Sequence, residues 1–271
     1  MITKEGLCVI DFHTHIFPEK IAGKTIPYLA GIVKKGPYTN GMQDGILKST
    51  EKAGLSCSVL LPVATSPHQF DSINRFAMQF REGKLLSLGS IHPDNEDYKN
   101  KLNFLKEEGF KGIKLHPDYQ HTYFNDIRYK RIISYATELD MIVVVHGGMD
   151  PLSPEDIHNT PKMSAEVLDD VKPTKLVLAH MGGHAMFDDV ECYLVGREVY
   201  FDTAVILDTI DKEQFMRITR NHGADKILFG SDSPWADQSQ YVELLKNLPL
   251  SEAERNAIFY ENAEKLLFKN N

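Results

Sequence analysis

The chain has no apolar run long enough to cross a bilayer, and only three cysteines, Cys8, Cys57 and Cys192, with no CxxC spacing among them. An odd count leaves one thiol over in any disulfide scheme. Free thiols are therefore expected, as in a reducing compartment. The opening MITKEGL has no apolar signal core, so a cytoplasmic location is expected, with no membrane attachment. Basic charge is also scarce: 30 Lys and Arg face 38 Asp and Glu, for a net charge of −8. That balance argues against a nucleic-acid partner, which needs a basic face. Tryptophan occurs once, as Trp235, and residues 16–44 contain no arginine, only Lys20, Lys24, Lys34 and Lys35. No GxGxxG follows the first predicted strand, which counts against a dinucleotide-binding open sheet.

What is present is a repeating alternation. Strands are predicted at residues 7–12, 57–63, 85–91, 110–116, 141–146, 175–180, 199–205 and 226–231. The strongest, VVV before His146 and LVLA before His180, are nearly continuously apolar, as strands covered on both faces of a parallel sheet must be. Helical patterns fall between them at 45–54, 72–83, 95–109 (capped by Asn95 or Asp94), 125–140, 161–171, 185–195 and 211–223. Two more follow at 237–247 and 251–268, the second opened by Ser251 with Glu254 in capping-box register. Strand–helix units of about thirty residues predict a (β/α)8 TIM barrel forming a single domain over 1–271. The β1–α1 connection, residues 16–45, is too long for a simple turn and is read as a surface excursion or, preferably, a lid over the barrel mouth.

Five of the predicted strands stop on metal-ligand residue types: His13 and His15, Lys114, His146, His180 and Asp232. Active sites of α/β barrels are built at the C-terminal ends of strands, and one shared metal ion gives these five endings a common cause. Alternate side chains of a strand share a face, so His13 and His15, ~7 Å apart along the chain, can reach one ion. His13, His15 and His146 supply neutral nitrogen donors and Asp232 an oxygen, a set that suits zinc and also accepts manganese, iron or cobalt.

The phrases DFHTH, GIKLHP, AHMGG and LFGSDSPW together resemble the amidohydrolase superfamily, specifically the amidohydrolase-related subfamily that also contains decarboxylases. The resemblance runs from Asp11 to about Leu267. It implies an enzyme with one metal ion, or two if Lys114 is carboxylated and His180 is a ligand. It also implies that Asp232 accepts a proton as well as binding metal, and that His180 is a ligand or a general base. Lys114, His116, His92 and Trp235 are the candidate substrate contacts. His184 is read as a helix cap or a partner of a ligand, and His68, His121, His158 and His222 as surface residues. The expected reaction is hydrolysis of an amide, lactone or ester-like bond of a small molecule by metal-activated water. Decarboxylation of an unsaturated or aromatic acid is the alternative, and a metal-dependent nuclease is third. The lack of arginine in 16–44 favours hydrolysis, because decarboxylases of the subfamily tend to hold carboxylates with arginines from mouth loops. A homo-oligomer is compatible with all of these.

Overall fold

A computed structural model describes residues 8–269; the opening MITKEGL and the predicted start of the first strand at residue 7 lie outside the described residues. The chain divides into two compact units. One comprises Met1–Leu60, Glu82–Leu86 and Asp202–Asn271, the other Leu61–Arg81 and Ser87–Phe201.

In the first unit, β1 (Ile10–Thr14) is buried along its whole length and pairs in parallel with β2 (Cys57–Leu60), Ile10 opposite Cys57 and Asp11 opposite Ser58. On the far edge of β2 the Ser58 amide donates to the Lys84 carbonyl at 2.8 Å, just before β3 (Leu85–Ser87). On the other side of β1, the Phe12 amide donates to the Phe229 carbonyl at 2.7 Å, directly after β9 (Ile227–Leu228). Strand β1 thus has ladder partners on both edges, and the burial of all five of its residues shows that both of its faces are covered.

Helix α8 (Lys212–His222) is capped by the Asp211 carboxylate, which accepts the Glu213 and Gln214 amides at 3.0 Å each. It buries Phe215, Ile218, Thr219 and His222. His222 is therefore not a surface residue: it lies one turn beyond Ile218 on the same inward face. Helix α9 (Gln238–Lys246) is capped by Asp237, and α10 (Glu252–Asn256) opens with the predicted Ser251–Glu254 capping box. The continuous helix expected over 251–268 is interrupted by a wide π turn at Ala257–Glu261 before α11 (Asn262–Phe268).

Much of the long segment after β1 is ordered helix: α1 spans Glu19–Val33 despite Pro27 in its interior, and the helix expected at 45–54 follows as α2 (Gln43–Lys52). Its remainder is pinned inside this unit. The Tyr38 amide donates to the Pro234 carbonyl at 2.8 Å, and Lys35 Nζ lies 3.3 Å from Asp208 Oδ2.

The second unit holds a parallel run of β4 (Gly89–Ser90), β5 (Gly112–Leu115), β6 (Ile142–Val145), β7 (Leu176–Leu178) and the start of β8 (Tyr200–Asp202). The registers are continuous: Ile113 opposite Val143, Val144 opposite Val177, Leu178 opposite Phe201. The predicted strand at 85–91 is two short pieces, β3 and β4, with Leu88 between them. Helices α3 (Phe70–Ala77), α4 (Tyr98–Glu107), α5 (Ile127–Glu138), α6 (Pro161–Val171) and α7 (Phe187–Tyr193) cover the run. Their inner residues, among them Leu102, Leu105, Ile132, Ile133 and Val167, are inaccessible to solvent. Each such aliphatic side chain contributes roughly 1.5–3 kcal/mol on burial. The N-cap of α4 is Asp97 rather than Asn95 or Asp94. Asn95 instead ties the loop after β4, accepting the His92 amide at 3.1 Å and donating to the Pro67 carbonyl at 3.1 Å.

Candidate metal centre and imidazole cluster

In the first unit, sequence residues 13, 15 and 232 meet. His13 Nε2 lies 3.1 Å from His15 Nε2 and 3.5 Å from Asp232 Oδ1, and His15 Nε2 lies 3.0 Å from the same oxygen. The backbone creates this meeting. The Asp232 amide donates to the His13 carbonyl at 2.8 Å and the His15 amide to the Ser233 carbonyl at 2.7 Å, so the two segments run as one ladder. Asp232 adopts a left-handed φ of 69°, which turns its carboxylate back toward the imidazoles. A non-glycine residue held there stores strain of order 1–3 kcal/mol, as residues at functional sites often do. Gly230 lets the two segments approach closely, since a Cβ there would stand only 3.0 Å from His13 Cβ.

Two buried carboxylates that sequence reasoning missed set up this triad. Asp202 Oδ2 lies 2.8 Å from His13 Nδ1. A carboxylate there holds the proton on Nδ1 and leaves the Nε2 lone pair for a metal, the usual partner arrangement for a ligating histidine. Asp11 lies beneath. It accepts the His13 amide at 3.2 Å, the Ser231 amide at 2.9 Å, the Ser231 hydroxyl at 2.5 Å and Gln238 Nε2 at 2.7 Å. Burial pushes the Asp11 carboxyl up to about 6 against the opposing pull of those donors. It welds β1 to the segment carrying Asp232. Asp202 was readable as a carboxylate within the strand candidate at 199–205, but its partner is 189 residues away in sequence.

The second unit gathers a different set. His146 Nδ1 lies 3.0 Å from His180 Nε2. The His146 ring stacks on His116 at 4.2 Å and 10°, and His116 stacks in turn on Tyr119 at 3.8 Å. Burial, then the His116, His180, Lys114 and His184 charges, hold the His146 imidazole well below its ordinary pKa, so it stays neutral. His180 and Met181 both have φ of 58° in the tight turn after β7. Gly148 (φ 84°) admits no side chain, because a Cβ would collide with the His184 backbone nitrogen. His184 caps no helix; its Nδ1 lies 3.0 Å from the Met149 carbonyl.

Lys114 is fully buried on β5, and His92 and His116 are buried at their strand ends. Burial draws the His92 pKa down, against the opposing pull of Asp94. Trp235 is half-buried, its amide donating to the Asp232 carbonyl at 2.8 Å. His68 and His121 are exposed, as expected. His158 is not a surface residue: it is buried, with Nδ1 3.2 Å from Asp118 Oδ1 and its ring stacked on Tyr123 at 4.9 Å.

The donor set of the first unit fits a divalent ion. Atoms each about 2.1 Å from one ion stand roughly 3.0–3.4 Å apart when adjacent, which the 3.0, 3.1 and 3.5 Å separations match. Parallel strands thus alternate with helices, and histidine and carboxylate side chains cluster at the strand ends. Residues 10–269 match the amidohydrolase family, and the chain belongs to it. No curated protein matches the chain by sequence. Among solved structures it is similar to a TIM-barrel protein of Bordetella bronchiseptica (TM-score 0.78, 17% identity, 96% of this chain and 98% of that one). It is also similar to 5-carboxyvanillate decarboxylase LigW from Sphingomonas paucimobilis (TM-score 0.74, 11% identity, 97% and 99%). A third is 5-carboxyvanillate decarboxylase from Novosphingobium aromaticivorans, complexed with manganese and 4-hydroxy-3-methoxy-5-nitrobenzoic acid (TM-score 0.71, 14% identity, 97% and 97%). The fold is accordingly the TIM barrel that the sequence predicts. Among the described residues no helix is long and apolar enough to cross a membrane.

Proposed function

We propose that the protein is a metal-dependent, non-oxidative decarboxylase acting on a small aromatic or unsaturated carboxylic acid. The observation that carries this reading is the His13–His15–Asp232 triad, oriented by Asp202, in a chain whose fold matches decarboxylases over 97% of its length. It departs from the hydrolysis expected from sequence, which rested on the missing arginines of residues 16–44. Hydrolysis stays as the second reading on that observation.

In this reading His13, His15 and Asp232 hold one divalent ion, manganese or zinc by donor chemistry. The His146–His180 pair is assigned the proton-transferring imidazole. When bound there, such an ion would polarise the substrate oxygens next to the departing carboxylate. The bond from carbon to carboxylate then breaks, its electron pair stays on carbon, and CO2 leaves. A proton must reach that carbon, and His180 is placed in the role of donor, with neutral His146 beside it to help return the proton. Lys114, His116, His92 and Trp235 are assigned to hold the substrate, a single small molecule treated within one domain spanning the matched residues.

The test is a panel of hydroxylated and carboxylated benzoates and unsaturated diacids, scored by CO2 release, beside lactones and amides scored by hydrolysis. CO2 release is expected, with Asp232→Asn and His180→Asn each lowering turnover by about 10²–10⁴-fold. Turnover of a lactone with no CO2 from any acid would overturn the decarboxylase in favour of the hydrolase.

A further inference from the structure

The connection after β1 and the connection after β8 meet beside the Asp232 segment, inside the unit that holds His13, His15 and Asp232. The Tyr38 amide donates to the Pro234 carbonyl at 2.8 Å, and the Val205 amide to the Ser231 carbonyl at 3.3 Å. The two connections are thus fastened on either side of Asp232, and an ion pair joins them, Lys35 Nζ lying 3.3 Å from Asp208 Oδ2. The two halves of that pair are held differently. Asp208 Oδ1 accepts the Tyr241 hydroxyl at 2.6 Å, and Tyr241 is buried on α9. Burial, the Asp208 hydrogen bond and the Asp208, Asp232 and Tyr38 charges raise the Tyr241 pKa, so the hydroxyl keeps the proton it donates. Among the described residues Lys35 has no comparable anchor: its ammonium stands 5.7 Å from the centre of the exposed Tyr38 ring, and its side chain is 39% exposed. A part-exposed pair of this kind is weak, so exchanging its partner costs little.

Charge balance at the neighbouring centre gives such an exchange a purpose. Imidazoles bind a metal in the neutral form, so a doubly charged ion on His13, His15 and Asp232 is offset by Asp232 and by Asp202 behind His13. A carboxylic acid substrate, ionised near neutral pH, then arrives as an uncompensated anion. Residues 16–44 contain no arginine, and of the four lysines there Lys35 is the one with an ion-pair partner among the described residues. We propose that Lys35 binds a carboxylate of the substrate, exchanging it for Asp208. The assignment rests on the reading of the substrate as an acid given above. Lys35 moves on its flexible four-carbon stem, while Asp208 keeps its charge, held by Tyr241 and by water on its exposed side. Asp208 therefore competes with the acid for one ammonium, and an uncharged molecule gains nothing from Lys35.

Binding is read from quenching of Trp235, the single tryptophan, whose amide donates to the Asp232 carbonyl at 2.8 Å. Manganese-loaded protein is titrated with 3-nitrobenzoate and, separately, with uncharged 3-nitrobenzamide. Lys35→Met is expected to weaken nitrobenzoate about tenfold and leave nitrobenzamide unchanged, with Lys35→Arg retaining nitrobenzoate binding. Asp208→Asn is expected to act in the opposite direction, tightening nitrobenzoate about 2–5-fold, and to lose most of that gain in the Lys35→Met background. If the pair only clamps the two connections together, both variants weaken both probes alike and the proposal fails. It fails equally if nitrobenzoate does not bind, or binds with an affinity that Lys35→Met leaves unchanged. Lys35-dependent binding with no CO2 released from any acid would keep this assignment and sink the decarboxylase. CO2 release with a KM indifferent to Lys35→Met would do the reverse.

Discussion

Residue 202 determines which nitrogen of His13 is available. An imidazole offers a lone pair on one nitrogen only when the other holds the proton, and the Asp202 carboxylate 2.8 Å from Nδ1 fixes that choice. Asp202→Asn keeps an acceptor oxygen but removes the charge that makes His13 a stronger base. Manganese or zinc affinity should fall about 10–100-fold, read by competition against a chromophoric chelator, with the fold unchanged by circular dichroism. Unchanged affinity would mean that packing alone, through Gly230 and the β1 ladder, orients His13. The ligand types themselves were legible, because a histidine or aspartate ending a strand stands out against an apolar run. Asp202 was not, because a carboxylate's role depends on a partner, and its partner is 189 residues distant. Burial of His158 and His222 was hidden for the same reason, since a polar residue on an inward face looks like one on an outward face until its partner is known.

At the scale of elements, what could be read locally was read well. Helix α6 falls at Pro161–Val171 as predicted, because Thr160 accepts the Met163 amide, Pro161 starts the first turn and Lys172 ends it in a left-handed conformation. Helix α1 was missed because Gly23, Pro27 and Gly31 lower its propensity throughout, and anchoring of the flanking segment overrides that. Helix α5 (Ile127–Glu138) offers a quantitative test. The Asp126 carboxylate accepts the Arg128 amide at 2.8 Å and pairs with its guanidinium at 2.9 Å. The Arg128 side chain holds the Asp126 carboxyl below its usual value. A carboxylate depressed in the folded state contributes stability above its unfolded pKa and loses it as pH falls through the folded value. Asp126→Ala should therefore cost about 1 kcal/mol at pH 7, and the gap from the unaltered protein should close as pH drops below about 4. Urea unfolding at pH 7 and at a series of pH values below about 4 measures it; a gap that stays constant across the whole series would assign the loss to something other than the ionised cap.

For the molecule as a whole, metal and stability are linked by mass action. An ion that binds the folded chain alone stabilises it by about 2.7 kcal/mol at a free concentration one hundred times its dissociation constant. For a chain of this size that corresponds to roughly 5–10 °C in Tm. Adding excess chelator should lower Tm by that order, and manganese or zinc should restore it. Asp232→Asn should show a smaller response to both. A Tm indifferent to chelator would mean that no ion is bound by the folded protein. The barrel itself was the most legible feature, since eight apolar runs at near-even spacing leave few alternatives.

The ladder joining β1 to the Asp232 segment carries one more consequence, for synthesis rather than catalysis. His13 and His15 are synthesised more than two hundred residues before the segment that presents Asp232 to them and before Gln238, which helps fix Asp11. Loop closure across that length must precede their assembly. Loading of the proposed centre with an ion is expected to follow that closure. Its occupancy would then report that β1 and the Asp232 segment have joined.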